Sequence, residues 1–152
     1  MQIKITDIAN TPISGVQVHL ACNDEPYLET YFNWSASPLT ARFATGNVSG
    51  GTLKCWHHTP VFTQVETHVE DEMFYFTGGP CLMLFVDVKD GKAVMESAQM
   101  VRIPQGTQII IEKGKAHFPP VAEGDEPSMA VVVSPKVDAP RIDLPEAIEG
   151  IQ

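Results

Sequence analysis

The feature that most limits what this chain can become is a missing one: no long segment sustains a helical 3.6-residue period. In its place, short β-branched or aromatic runs recur along the whole length. They are GVQVHLA (15–21), TARFAT (40–45), TLKCWHH (52–58), VFTQVETH (61–68), MFYFT (73–77), CLMLFVDV (81–88), AQMVRI (98–103), TQIII (107–111) and MAVVVS (129–134). Turn chemistry separates them: Asn47 with Gly50-Gly51, Gly78-Gly79-Pro80, Lys89-Asp90-Gly91, Pro104-Gln105-Gly106 and Gly124-Asp125. Many short strands with Gly/Pro turns predict an all-β sandwich or barrel. A brief helix is expected at most around 145–150. The Pro-rich acidic tail, 135–152, is expected along the barrel, along a partner subunit, or disordered. No internal repeat or linker divides the chain, so one domain spans 1–152.

Composition narrows the function classes. At 152 residues, 43% hydrophobic and 19% charged, the chain can bury a real core. Its net charge of −9 repels phosphates, which argues against nucleic-acid and anionic-membrane partners. MQIKITDIANTPISG lacks the basic and apolar pattern of a leader, and the longest apolar stretch, CLMLFV, is too short to span a bilayer. Cys22, Cys55 and Cys81 are odd in number and contain no CxxC, so a reducing cytoplasm is the expected compartment, with each thiol a small buried hydrophobe.

One stretch carries chemistry. VETHVEDEMFYFTGG places His68 among Glu66, Glu70, Asp71 and Glu72. Side chains two apart on a strand share a face, so Gln64, Glu66 and His68 point together, as do Glu72, Phe74 and Phe76. With Phe74 and Phe76 facing an interior, Glu72 lies at its mouth and Glu66 and His68 approach from the neighbouring strand. Glu70 and Asp71 fall in the turn and read as solvated charges. A second segment, GTQIIIEKGKAH, ends in a Gly turn and His117.

Together these two segments resemble the cupin superfamily, whose motifs are G(X)5HXH(X)3–4E(X)6G and G(X)5PXG(X)2H(X)3N. His68, Glu72 and Gly79 follow the first spacing, with Glu66 at its first histidine and Pro60 at its opening glycine. Gly106, Gly114 and His117 follow the second, with Glu112 at its proline and Val121 at its asparagine. The resemblance covers about 61–134. It implies a double-stranded β-helix, a jelly-roll barrel, with a metal held at its open end by Glu66, His68, Glu72 and His117. Two imidazoles and two carboxylates suit a divalent Zn, Mn, Fe or Ni. Either histidine taken alone reads as structural; the joint spacing is what points to a site.

The second half also resembles the ureidoglycolate lyases, small cytoplasmic cupins that release urea and glyoxylate, through EMFYFTGG, CLMLFVDV, GKAHFPPV and MAVVVSP. That likeness implies an enzyme acting on a small carboxylate-bearing metabolite. The chemistry asks for a base, Glu72 or His117, and for cations to hold the carboxylate. The cation candidates are Arg102 and Lys115, then Arg42 and Lys54. His58 or His57 of CWHHTP is placed to reach the pocket, against the plainer reading of a rim or interface pair. His19 reads as structural. A homodimer follows by analogy with small cupins. Two other classes fit the same residues: a non-haem iron dioxygenase, and a non-catalytic cupin that binds a small molecule.

Overall fold

The computed structural model describes residues 1–136 and 139–152. Its strands, in order, are β1 (Gln2–Asp7), β2 (Val16–His19), β3 (Tyr27–Leu28), β4 (Asn33–Trp34), β5 (Val48–Cys55), β6 (Val61–Glu66) and β7 (Glu72–Phe76). They continue with β8 (Cys81–Lys89), β9 (Lys92–Ile103), β10 (Gln108–Ile111), β11 (Ala116–His117), β12 (Val121–Ala122), β13 (Ser128–Pro135) and β14 (Arg141–Ile151). Two short 3-10 turns, Ile8–Asn10 and Ala21–Asn23, are the only helical elements among the described residues. The all-β expectation holds.

A seven-stranded sheet runs β11-β6-β14-β1-β9-β8-β12, and β11 pairs with β8 as well as β6, which closes its main strands into a ring. Facing it is a five-stranded sheet, β2-β10-β7-β13-β5. β8 shows why CLMLFV is continuously apolar instead of alternating. Cys81, Met83 and Phe85 pack with Phe74, Phe76, Ile109 and Ile111 in a core between the two sheets. Leu82, Leu84 and Val86 point the other way, into a second core with Val65, Met100, Ala116 and Ile148 inside the ring. A strand buried on both faces has no solvent side to encode.

Several expectations change. TARFAT forms no strand, because its backbone donors are taken by side chains described below. The 145–150 helix is absent: that segment belongs to β14, which pairs antiparallel with β6 and parallel with β1. The tail is thus a structural strand rather than a loose extension, save that Val137 and Asp138 lie outside the described residues. β3 and β4 form a separate two-stranded hairpin that exposes Tyr27, Leu28, Tyr31, Phe32 and Trp34.

Candidate metal centre

The two sheets meet at one end of the sandwich, and the motif residues converge there. Glu66 ends β6, His68 lies two residues beyond, Glu72 opens β7 and His117 ends β11. The register seats His117 directly opposite Glu66, so both face the sandwich interior while neighbouring Ala116 packs into the ring. Gly114 sets up this arrangement. Its φ of +81° suits a glycine, and its N–H donates to the His68 carbonyl at 2.9 Å, tying the two motif segments together.

One donor atom each from Glu66, His68 and His117 lies within 4.8 Å of the others. Glu72 Oε2 sits 2.8 Å from His117 Nε2 and 3.3 Å from His68 Nε2. The imidazoles stack with centroids 5.4 Å apart and planes 21° apart, and Phe74 meets His117 edge-on. Both ring nitrogens of His68 are buried without a hydrogen-bond partner. Burial pushes the His68 imidazole below its ordinary range, and the neighbouring His117 adds to this, while Glu72 and Glu66 oppose it without reversing it. Burial thus disfavours the charged imidazole at His68.

His117 Nδ1 lies 3.3 Å from the Lys115 carbonyl. Donation of Nδ1–H to that carbonyl leaves Nε2 bare, the tautomer in which metal-binding histidines are usually fixed. An orphaned buried imidazole beside a second imidazole and a carboxylate fits a borderline divalent ion. Glu72 stands apart from that three-residue set and contacts both rings.

Glu70 and Asp71 are not solvated; each is only 6% exposed. Asp71 accepts from the N–H of Arg42 at 2.8 Å and of Lys113 at 3.0 Å. Glu70 accepts from the N–H and the hydroxyl of Thr45, at 2.6 and 2.9 Å. The pair clamps 42–45 onto the turn that presents His68, which is why those residues are unavailable to a sheet. Burial raises the Glu70 carboxyl, but the Thr45 and Ala44 hydrogen bonds outweigh it and hold it below the usual carboxylate range.

The expected substrate cations are elsewhere. Arg102 is engaged by Asp7 at 3.0 Å and Glu123 at 2.6 Å, Lys115 is buried against Asp87 at 2.6 Å, and Lys54 sits over Trp56. The Arg42 backbone is bound to Asp71. His58 is exposed with Nδ1 against the Thr59 carbonyl, His57 contacts the Ala122 carbonyl, and His19 pairs with Asp24. None of these residues lines the cavity against the cluster, and Arg42 borders a different one. That cavity, about 420 Å³, also touches Glu70 and Asp71, whose carboxylates are already spent on backbone donors. The cavity against the cluster is about 290 Å³, with Glu66, Glu72 and His117 on one side and residues 49–53 of β5 on the other. No Lys or Arg lines it. A cation that the motifs do not contain does reach the cluster's edge: Arg141 opens β14 opposite Glu66, with Nε 4.0 Å from Glu66 Oε2 and its guanidinium over Phe118.

Two facing sheets with this donor cluster at one open end define a cupin-type jelly roll. Solved structures share that fold. RmlC from Streptococcus suis, determined with dTDP-D-xylose, is 14% identical over 83% of this chain and 67% of its own, with a TM-score of 0.55. The dTDP-4-dehydrorhamnose 3,5-epimerase from Elizabethkingia anophelis is 10% identical over 85% of this chain and 74% of its own, with a TM-score of 0.53. At these identities the likeness is one of fold. The sequence matches no protein-family model and no curated protein.

Proposed function

We propose that this protein is a metal-dependent cupin enzyme acting on a small carboxylate-bearing metabolite, with lyase chemistry of the ureidoglycolate type as its specific form. The observation that carries this reading is His68: an imidazole whose two buried ring nitrogens have no hydrogen-bond partner among the described residues, beside His117 and Glu66. Glu66, His68 and His117 would hold a divalent transition metal. Such an ion supplies Lewis-acid polarisation of a bound hydroxyl or carboxylate oxygen.

The protein's own groups do the rest. Glu72 lies against both imidazoles and on the cavity wall, where its carboxylate accepts the carbinol hydroxyl proton and returns it to the urea nitrogen as the C–N bond breaks and the glyoxylate carbonyl forms. Phe74 excludes water from beneath the pair, and Arg141 at the rim offers a guanidinium to the substrate carboxylate. For a nucleotide-sugar substrate, as the dTDP ligand of the Streptococcus suis protein would be, the diphosphate calls for lining cations. This wall has none, and it has two carboxylates.

Elemental analysis of protein purified without chelator, followed by a screen for urea and glyoxylate release from ureidoglycolate, tests the reading. Bound transition metal with metal-dependent release supports it. Metal with oxygen consumption moves the assignment to a dioxygenase, and binding of small acids without turnover moves it to a carrier. Protein that neither holds metal nor takes up Zn, Mn, Fe or Ni overturns it.

A further inference from the structure

Gly51 lies in the middle of β5, where a residue without a side chain weakens a strand and packs nothing. Most unusual glycines in this protein have a local reason. Gly15, Gly46, Gly91, Gly106 and Gly114 adopt positive φ. A Cβ on Gly78 would lie 2.7 Å from the Met129 backbone nitrogen, and one on Gly150 would strike the Met100 sulfur. Gly51 has neither excuse. Its backbone is not in the left-handed region, and a Cβ there would meet nothing within 4 Å.

Its direction is fixed by register. Gly51 pairs with Val132, which packs against the inter-sheet core, and directly opposed residues of an antiparallel pair share a face. Gly51 therefore faces inward, into the 290 Å³ cavity whose far wall is Glu66, Glu72 and His117. The adjoining inward residues are Leu53, Phe74 and Val132 on one side and the hydroxyl-bearing Ser49 and Ser134 on the other, none of them charged. Neighbouring Gly50 is equally free of positive φ and of close contacts, but it pairs with Val133 on the opposite face, so of the two it is Gly51 whose open space lies inside the site.

We infer that Gly51 is the length-determining residue of the ligand site: the missing side chain makes room for the tail of a 2-hydroxy acid whose polar head reaches the Glu66, His68 and His117 cluster. This rests on the metal-site reading above and adds to it the shape of the substrate. An uncharged floor with a polar head-site selects chain length, because each methylene either fills or overfills the space.

The test is a graded series, Gly51→Ala, Gly51→Val and Gly51→Leu, each purified as the full chain. Three properties are measured: thermal stability, zinc stoichiometry, and calorimetric binding of glycolate, lactate, 2-hydroxybutyrate and 2-hydroxyhexanoate to the zinc-loaded protein. The variants should melt no lower than wild type and bind the same zinc. Affinity for 2-hydroxyhexanoate should fall by at least about tenfold in Gly51→Val and further in Gly51→Leu, with glycolate little changed. Equal binding of every acid by wild type and Gly51→Leu overturns the inference, as does uniform loss across the series. Wild type that takes zinc but binds none of the acids also overturns it, while leaving the metal site standing. Failure of wild type to take zinc sinks the metal reading instead. In that case the same series on the metal-free protein decides Gly51: chain-length selectivity lost in Gly51→Leu supports it, and no binding overturns it.

Discussion

Glu70 is a residue whose work is done entirely through distant backbone. Its carboxylate binds Thr45, and its pKa lies below the ordinary 4.5. A group depressed in the folded state contributes stability above its unfolded pKa and loses it as pH falls through the folded value. Glu70→Gln should therefore lower the melting temperature at pH 7, and the gap from wild type should close below about pH 4. A scanning-fluorimetry series across pH reads this directly, and a gap that widens in acid would contradict it. At the candidate metal cluster, His117→Ala should cut zinc uptake by more than about a hundredfold while the circular-dichroism spectrum stays β-type. Glu66→Gln should cost less, since an amide oxygen still coordinates; equilibrium dialysis separates the two. His68, Glu72 and His117 were legible because their spacing survives in a linear string. The buried role of Glu70 and Asp71 was not, because their partners are N–H groups that any residue type can offer. Arg141 was equally hidden, since only pairing of β14 with β6 brings it to Glu66.

Among the elements, the β3–β4 hairpin stands alone. Among the described residues it pairs with no other strand, and Tyr31 is 95% exposed. A two-stranded hairpin without a packed face is marginal in water. Chymotrypsin should therefore cut first at Tyr31, Phe32 or Trp34, leaving a resistant remainder, because Phe74, Phe76 and Phe85 are buried. Mass spectrometry of the first fragments checks this, and a first cut within β7 or β8 would refute it. The strands easiest to read were those with clear boundaries and plain burial patterns, such as β8 and β13. β14 was the hardest for a definite reason. A register shift between Asp143 and Ile148 leaves Leu144 and Ile148 as its buried residues, four apart, with Pro145 between them. That spacing imitates one face of a helix.

At the scale of the whole molecule, β1 lies between β14 and β9 and is parallel to both. The ring of the larger sheet is thus complete only with β14 in place, and β6 has no neighbour on that side without it. The fold class was visible in the rhythm of strands and turns, but no local pattern encodes which strand lies beside which. Topology of this kind brings sequence-distant segments together, so refolding should take milliseconds to seconds and not microseconds; stopped-flow tryptophan fluorescence measures it. The order of synthesis gives this closure a biological edge. Glu66, His68, Glu72 and His117 all leave the ribosome before β14 does, so for an interval the nascent chain carries a nearly finished donor set on a sheet with two bare edges. Those edges are templates for a neighbouring chain on the same message. Crowded polysomes would put those two edges at risk until β14 pairs with β6 and β1.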